Sequence, residues 1–319
     1  MNIDVSIVIV CMNNLKNLYP CLESIKKYTT VSYETLVVAY LFSKDNLEKV
    51  KNDFPWVTFI ESNEIRGFSE NNNLALRLAK GKYCFVLNDD TEMKMDVVGG
   101  LVRTIENLPK EVAIVSPRTI YKDGNVQTCG RPFKDWKKMI LQDLHLINDK
   151  SDKKYSHKKG VFKTFNIIGA AFLIKTDIFN SVGFFDERYF FTPEDIALST
   201  LLNKLGYSCY VNADIDIVHY ESMSGKPNKI SYIQAATIPA AKKGILIMFS
   251  QNNKMIYLTF GLWIIAFSLF QYLFHSSKSF TKEKPNFDDV LAKGAIRTCI
   301  TLFSSLTPKD IFKKYYLNY

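Results

Sequence analysis

The chain has 319 residues, of which 47% are hydrophobic and 23% are charged. A chain of this length and apolar content can bury a large core, which excludes an intrinsically disordered protein. Its six cysteines are scattered and form no CxxC pair. This pattern is typical of reduced, buried thiols and predicts a cytosolic protein. Asp4 stands where a secretory signal carries basic residues, so we expect no signal peptide.

The excess positive charge lies in the C-terminal third of the chain. Residues 1–222 hold 28 Lys and Arg against 28 Asp and Glu, whereas residues 223–319 hold 13 against 4, which together give the net charge of +9. A neutral main body lacks the basic face that phosphate-backbone binding requires, so we expect no nucleic-acid partner. A basic tail interleaved with aromatic and leucine residues instead favours an anionic membrane surface.

Strands and helices alternate over the first 100 residues. Apolar runs predict strands at 5–10, 35–39, 57–61 and 83–87, and helical spacing predicts helices at 15–28, 46–52 and 69–79. Ser69 is the predicted N-cap of the third helix and Gly81 its stop. This order predicts an α/β protein with a mostly parallel, Rossmann-like central sheet flanked by helices. The sequence contains no GxGxxG or GxxxxGK(S/T) motif, which disfavours dinucleotide and P-loop sites.

Three polar residues, Asn88, Asp89 and Asp90, directly follow the apolar run 83–87. In an open parallel sheet, ligands bind beyond the carboxyl ends of the strands, where these side chains are expected. Oxygen ligands this close together suit Mg²⁺ or Mn²⁺ with open positions for the phosphates of a substrate. A surface turn explains the same residues equally well, because Asn and Asp are common turn residues.

The following 120 residues are less regular. A helix is predicted at 96–108 and strands at 112–116 and 210–218, with a long irregular stretch at 121–160. A loop of that length is either a lid or acceptor-binding loop, or a disordered insertion. Gly169 and Ala170 interrupt an apolar run and permit the close approach of a ligand or another strand.

Two further sites carry candidate catalytic or metal-binding residues: the pair Glu194 and Asp195, and His219. Glu194 and Asp195 open a predicted helix for which Thr192 is the N-cap and Pro193 the first residue. A capping role accounts for this acidic pair without any catalysis. His219 follows the strand at 210–218, and it becomes a candidate ligand only beside carboxylates from elsewhere in the fold.

Seven short motifs occur in an order that resembles glycosyltransferase family 2, a family of inverting enzymes. They are SIVIV with Asn13 and Asn14, RGFS with Asn72 and Asn73, LNDDT, Gly169-Ala170, GFFDE at 183–187, Glu194-Asp195 and His219. The resemblance covers residues 5–222 and is to rhamnosyltransferase-like enzymes of the bacterial envelope. It implies the GT-A fold, with a nucleotide-sugar-binding half at 1–100 and an acceptor-binding half at 101–222.

The same resemblance implies a reaction. A hexosyl or deoxyhexosyl group would pass from a nucleotide sugar to a glycan or lipid-linked glycan of the cell envelope, assisted by Mg²⁺ or Mn²⁺. Asp90, with Asn88 and His219, is implied to hold the metal. Asp195 is implied to be the general base, with Glu194 orienting the loop or binding the acceptor.

The donor-binding positions implied by the resemblance are Asn13, Ala39, Arg66, Asn73, Asn88, Asp89, Gly169 and Ala170. Two positions depart from the family pattern. Ala39 stands where the family usually has an Asp that contacts the nucleotide base, and Ala197 stands where an Asp is common. The identity of the nucleotide is therefore open. The alternative function is a non-catalytic homologue that binds a nucleotide sugar or scaffolds a membrane complex.

The C-terminal extension, residues 223–319, contains 19 uncharged residues at 256–274, close to the roughly 20 that span a bilayer. Lysines flank this stretch on both sides, so a single crossing would leave a lysine-rich end outside, against the positive-inside tendency. A helix lying in the interface, or a re-entrant pair with 295–306, keeps the lysines on one side. A helix buried in the protein is the alternative. We expect association with the cytoplasmic face of the membrane.

Overall fold

The computed structural model describes residues 3–127, 129–147, 155, 157–220, 232–280 and 286–316. The chain forms two units, each with its own apolar core. The first comprises Met1–Phe133, Lys150–Asp186 and Glu194–Ser222, and the second comprises Lys134–Asp149, Glu187–Pro193 and Met223–Tyr319.

The first unit is built on one nine-stranded sheet. Its strands in chain order are β1 (Val5–Cys11), β2 (Tyr33–Tyr40), β3 (Val57–Ser62), β4 (Tyr83–Asn88), β5 (Thr91–Met93), β6 (Val112–Ile120), β7 (Val161–Thr164), β8 (Ala171–Lys175) and β9 (Ser208–His219). The spatial order is β3-β2-β1-β4-β8-β6-β9-β5, and β7 also pairs with β9.

The predicted parallel arrangement is present in the first four strands. Strand β1 pairs in parallel with β2 and β4, and β2 pairs in parallel with β3. Strand β8 is antiparallel to its two neighbours, β4 and β6, while β6 and β9 are parallel to each other. The sheet is therefore mixed beyond β4. The antiparallel pairing brings the residues just before β8 beside the carboxyl end of β4.

The helices flank this sheet or form the second unit. They are α1 (Leu15–Tyr28), α2 (Lys44–Asp53), α3 (Phe68–Leu76), α4 (Val97–Glu106), α5 (Trp136–Asp143), α6 (Thr176–Ser181), α7 (Glu194–Lys204), α8 (Tyr232–Ser250), α9 (Lys254–Phe280), α10 (Phe287–Thr301) and α11 (Pro308–Tyr316). Helix α5 and helices α8 to α11 belong to the second unit.

Both faces of the central strands are buried, as continuous apolar runs predict. Ile7 and Ile9 of β1 pack in a core with Leu22 of α1, whereas Val8 lies in a second core with Leu202 of α7. Alternate residues of one strand thus face opposite helical layers. This burial on both sides leaves the carboxyl edge of the sheet as the place where its polar residues reach solvent.

Helix α3 differs from its predicted position. It begins at Phe68 with Gly67 as N-cap and ends at Leu76, so Ser69 is not the cap and the helix does not reach Gly81. A Cβ atom at Gly81 would lie 2.4 Å from the backbone nitrogen of Ser6. This glycine is therefore required by the close approach of two chain segments and does not end a helix.

Two other sequence expectations are corrected. The stretch 121–160 is not wholly irregular, because it contains α5, whose N-cap Asp135 accepts from the Lys138 amide at 2.8 Å. Residues 128, 148–154 and 156 of that stretch lie outside the described residues. Helix α7 begins at Glu194, so Pro193 precedes the helix and is not its first residue.

The helices of the second unit enclose the buried ammonium group of Lys243. Lys243 of α8 is 6% exposed. Its Nζ donates to the carbonyl oxygen of Leu302 at 2.7 Å, to that of Ser304 at 3.0 Å and to the Tyr257 hydroxyl at 3.0 Å. The ammonium group has three donors, and each has an acceptor here. Lys243 thus ties α8 to α9 and to the chain that follows α10.

Candidate active site

The acidic segment lies at the carboxyl end of β4, as predicted. Asn88 is the last residue of β4 and pairs in register with Val10 of β1. The Thr91 hydroxyl donates to the Asn88 carbonyl oxygen at 2.8 Å, which closes the turn that contains Asp89 and Asp90. A buried strand on one side and this bond on the other fix where the two carboxylates lie.

The pairing of β5 with β9 brings Asp90 and His219 together. Thr91 is in register with His219, and the Tyr220 amide donates to the Asp90 carbonyl oxygen at 2.9 Å. The Nε2 atom of His219 lies 3.4 Å from Oδ1 of Asp90, and the two side chains are only 15% and 6% exposed. Residues 129 positions apart in the chain thus form one buried pair.

Gln127 determines which nitrogen of His219 carries the proton. The Gln127 amide Nε2 donates to the backbone carbonyl of His219, which leaves Oε1 facing Nδ1 of the ring at 3.0 Å. Because this oxygen can only accept, Nδ1 must carry the hydrogen. In the neutral ring, Nε2 then presents a lone pair towards Asp90. Sequence reasoning did not identify Gln127, which lies in the stretch predicted to be irregular.

A lone pair and a carboxylate oxygen 3.4 Å apart fit a divalent cation bound between them. A ligating histidine usually donates its other ring N–H to an acceptor, as His219 does to Gln127. Within the described ranges, no group of three or more His, Cys, Asp or Glu side chains converges as a metal site. A cation held by Asp90 and His219 would therefore complete its coordination with other oxygen ligands, in the way that Mg²⁺ uses substrate phosphates.

Asp89 lies on the other side of the turn, beside β1. Burial is the main cause that raises the pKa of its carboxyl group to about 7. The hydrogen bond from the Cys11 thiol lowers this pKa, and the charge of Asp90 raises it. Negative charge is thus concentrated at the end of β4, where a bound cation would stabilise it. Burial also raises the pKa of the Cys11 thiol well above its ordinary value, which leaves this cysteine uncharged.

A second acidic cluster is formed at the start of α7. Oδ2 of Asp195 accepts from the Gly169 amide at 3.2 Å and lies 3.7 Å from Nη1 of Arg131. Its Oδ1 accepts from the Ile196 amide at 2.7 Å. The Asp195 side chain is 13% exposed, so this carboxylate is held in place while part of it faces solvent. Arg131 was not identified from the sequence.

Glu194 is buried next to Asp195. It is 8% exposed, and its Oε2 is a buried atom without a hydrogen-bond partner among the described residues. Burial, reinforced by the charge of Asp195, raises the pKa of Glu194 well above its ordinary value of 4.5. In its protonated form, which this environment favours, Glu194 is a potential hydrogen-bond donor beside the Asp195 carboxylate.

One backbone connection joins the two clusters. The amide of Asn88 donates to the carbonyl oxygen of Ala170 at 2.9 Å, and the neighbouring residue, Gly169, donates to Asp195. Gly169 and Ala170 therefore link the metal candidates to the base candidate. A Cβ atom at position 169 would lie 3.5 Å from the Asp195 Cβ atom, at ordinary contact distance.

Two other predicted donor-binding residues lie at the same edge of the sheet. Asn13, just after β1, accepts through Oδ1 from the Asn46 side chain at 2.9 Å. Arg66, just after β3, donates to Ser62 Oγ at 3.2 Å and pairs with Glu64 at 3.0 Å. Since β1 and β3 are parallel members of one sheet, both residues follow its carboxyl edge.

The structure does not present Ala39 or Asn73 to a ligand. Ala39 is fully buried within β2 at 0% exposure, so its methyl group offers no surface to a nucleotide base. The Asn73 amide donates to the Phe185 carbonyl at 2.9 Å and accepts from the Phe185 amide at 3.1 Å. Asn73 therefore fixes the loop around Phe185, and its side chain is used inside the protein.

The family model described as Glycosyl transferase family 2 matches residues 6–183. The chain belongs to this glycosyltransferase family. The match contains Asn88, Asp89, Asp90 and Gly169, whereas Asp195 and His219 lie beyond its end. The roles of the last two residues are therefore argued from their geometry.

Two curated relatives are similar to this chain over part of their length. The O-antigen biosynthesis protein RfbC of Myxococcus xanthus is 25% identical over 170 residues, which cover 50% of this chain and 12% of RfbC. Glycosyltransferase GlyG of Streptococcus pneumoniae is 24% identical over 197 residues, which cover 58% of this chain and 61% of GlyG. The chain thus spans less than two thirds of either relative.

Solved structures confirm the GT-A-type fold. The mannosyltransferase PcManGT of Pyrobaculum calidifontis, solved with GDP-Man and Mn²⁺, matches with a TM-score of 0.53 at 14% identity, covering 95% of this chain and 88% of that one. GalNAc-T7, solved with UDP, GalNAc and Mn²⁺, also has a TM-score of 0.53, at 17% identity, covering 68% of this chain and 44% of that one. The predicted fold class is correct.

Proposed function

We propose that this chain is an inverting glycosyltransferase that moves a hexosyl or deoxyhexosyl group from a nucleoside-diphosphate sugar to a hydroxyl of a cell-envelope glycan. The observation that carries the proposal is the connection from Asn88 through Ala170 and Gly169 to Asp195. This connection supports the proposal because it joins the end of β4, which carries the candidate metal ligand Asp90, to the start of α7, which carries the candidate base. Inverting transfer requires both a stabilised leaving group and a base for the attacking hydroxyl.

Asp90 and His219 would hold Mg²⁺ or Mn²⁺, with Asn88 beside them. When bound, the cation supplies Lewis-acid stabilisation of the negative charge on the departing diphosphate. The protein's part is to keep the ligands in position: Gln127 fixes the ring of His219, and the β5–β9 pairing fixes Asp90 opposite it. The donor would lie along the sheet edge marked by Asn13, Arg66 and Asp89.

Asp195 would take the proton from the acceptor hydroxyl as that oxygen attacks the anomeric carbon. The bond from the sugar to the diphosphate oxygen breaks as the new glycosidic bond forms, and the proton ends on the carboxylate. The Gly169 amide and Arg131 orient Oδ2, and orientation compensates for the modest basicity of a carboxylate. Glu194, in its protonated form, would donate a hydrogen bond to the acceptor.

Two observations support the proposed acceptor: the similarity to RfbC and the positive charge of the C-terminal extension. RfbC is named as an O-antigen biosynthesis protein, which supports a polysaccharide acceptor. The basic tail, with 13 Lys and Arg against 4 Asp and Glu in residues 223–319, supports work at the cytoplasmic face of a membrane on a lipid-linked glycan. The competing function is a nucleotide-sugar-binding or scaffolding homologue without turnover, which the substitution of the base-contacting Asp by Ala39 favours.

The test is release of nucleoside diphosphate from a panel of nucleotide sugars, with Mn²⁺ or Mg²⁺ and a membrane-lipid extract as acceptor source. We expect one donor to turn over only with metal, and Asp90→Ala to abolish turnover. Asp216→Asn is the matched control, because Asp216 lies on the same strand as His219 but pairs with Arg118 at 2.6 Å. Donor binding without turnover in any extract would contradict the proposed glycosyltransferase activity and favour the non-catalytic binding or scaffolding function.

A further inference from the structure

Helix α9 of the second unit has a long exposed apolar face. Its exposed large side chains are Met255, Leu258, Leu262, Leu269, Phe270, Leu273, Phe274 and Phe280. Leu262 and Leu273 are 60% and 61% exposed, and Met255 is 70% exposed. The opposite face, with Phe260 and Ile264, is buried against the other helices of the unit. Exposed apolar patches of this extent mark interaction surfaces.

These eight side chains, called the α9 stripe below, form one face of the helix. At about 100° per residue, all except Phe274 fall within a sector of about 120°. At roughly 1.5 Å per residue, the stripe from Met255 to Phe280 is about 38 Å long. Its row of Leu and Phe is interrupted by no charged residue. A straight, uncharged apolar stripe of this length fits a lipid phase.

The positive charges at the margins of the α9 stripe indicate that the lipid surface it binds is anionic. Lys254 and Lys278 are both exposed, one at each end of the helix. Counted around the helix at about 100° per residue, they fall on opposite sides of the stripe. The ammonium of Lys278 lies 4.0 Å from the ring centre of Phe274. Two lysines flanking an apolar face can reach lipid phosphates at the same depth.

We propose that α9 lies in the plane of an anionic membrane leaflet, with the α9 stripe inserted among the acyl chains. Length and composition alone would allow α9 to cross the membrane, and only 22% of its most apolar window is buried. The packing of the unit decides between the two arrangements. A crossing helix would take its bound neighbours into the bilayer, whereas an in-plane helix inserts only its free face.

Helix α10, which packs against α9, carries charged residues beside the middle of α9. The ring of His275 contacts Asp288 at the start of α10 at 2.8 Å, and Cys299 near the end of α10 donates to the Ile265 carbonyl at 3.7 Å. Helix α10 therefore runs antiparallel along α9, and its Lys293 and Arg297 lie beside the central turns. A crossing would bury these charges in hydrocarbon, which is unfavourable.

Helix α5 adds a further charge beside the first half of α9. The indole Nε1 of Trp263 donates to Asp143 at 3.0 Å. At about 100° per residue, Trp263 falls between Phe270 and Phe274, so Asp143 lies at the margin of the α9 stripe. A polar contact at the margin stays at the level of the lipid headgroups when the helix lies flat, whereas a crossing would bury it. The structure thus favours the in-plane arrangement over the spanning and fully buried ones left open by the sequence.

The first experiment is flotation of the full chain with phosphatidylcholine vesicles that contain or lack phosphatidylglycerol. We expect flotation with the anionic vesicles, and at least about a tenfold loss of affinity in Leu262→Gln/Leu269→Gln/Leu273→Gln, because three apolar side chains lose their transfer free energy. The matched control is Leu78→Gln/Leu201→Gln/Leu205→Gln, whose leucines are also exposed but lie in the first unit. It should float like the wild type.

A second experiment separates lying flat from crossing. Spin labels on Leu258→Cys, Leu269→Cys and Phe280→Cys, each in a Cys299→Ser background, report depth through collision with oxygen and with a water-soluble nickel complex. Equal shallow depth at the three positions supports the proposal. A profile deepest at position 269 overturns it in favour of a crossing. Absence of vesicle binding, or self-association of the chain through the α9 stripe, also overturns it.

Discussion

Lys243 in the second unit and Glu194 in the first are both ionisable residues with little exposure, at 6% and 8%, but their partners differ. Each donor of Lys243 has an acceptor. Glu194 keeps a buried oxygen with no hydrogen-bond partner among the described residues. A buried ionisable group with all its hydrogen bonds made holds a fold together, whereas an unsatisfied carboxyl group beside a second one is typical of a site that awaits a ligand.

The largest expected effect is the loss of glycosyl-transfer turnover in the variant Asp195→Asn of the first unit. Asn retains an oxygen that can accept from the Gly169 amide, but it cannot take a proton. We expect turnover to fall by about 10²–10⁴-fold, the usual contribution of a general base, with donor affinity unchanged. The measurements are kcat from diphosphate release and donor Kd by calorimetry. An unchanged kcat would remove Asp195 from the mechanism.

In the second unit, Lys243→Met tests the structural side of the comparison. Methionine fills similar space but leaves the Leu302 and Ser304 carbonyls without their buried donor, so we expect a loss of about 2–4 kcal/mol in the free energy of unfolding. Lys293→Met is the control, because its pair with Asp289 at 2.9 Å is partly exposed, and such a pair is worth under about 0.5 kcal/mol. Chemical denaturation of both variants measures the difference. Equal losses would show that Lys243 does not stabilise the unit.

A smaller effect is expected from Gln127→Leu, which leaves His219 without its acceptor for Nδ1. The ring then loses its fixed tautomer, and we expect Mn²⁺ affinity to fall by about 10–100-fold. Gln127→Glu keeps an oxygen facing the ring and should retain most of the affinity, while Gln142→Leu in α5 should change nothing. Electron paramagnetic resonance of free Mn²⁺ gives the affinity, and ¹⁵N shifts of His219 give the tautomer. Wild-type affinity in Gln127→Leu would contradict the positioning role.

The sequence predicts the first four strands because each is a continuous apolar run between turn residues. The end of α3 is misplaced since leucines and alanines continue past Leu76, and local pattern cannot show that Gly81 packs on the backbone of Ser6. Gln127 and Arg131 carry no signal of their own. Gln127 follows the bridge of Ile120 with Val126, where the chain turns back beside β6, and Arg131 is placed by its own bridge with Asn166, 35 positions away. Both pairings depend on the assembled sheet.

The last prediction concerns the sign of Glu194's contribution to stability. Because its folded pKa is raised above the ordinary 4.5, the folded state binds more protons than the unfolded state between that value and the folded pKa. Stability is then full below about pH 4.5 and decreases as the pH rises towards the folded pKa. Glu194→Gln removes this penalty, so the variant should match the wild type near pH 4 and become the more stable protein as the pH rises.

Glu106→Gln provides a control of opposite sign. Its pKa is lowered by the hydrogen bond from Lys82, so the wild-type residue favours the folded state above pH 4.5, and that stabilisation is lost as the pH falls. Its side chain is 47% exposed, and solvent screening keeps the effect small. Denaturation midpoints between pH 4 and pH 8 should therefore diverge in opposite directions for the two variants. Parallel curves would mean that Glu194 is not held in an environment that disfavours its charge.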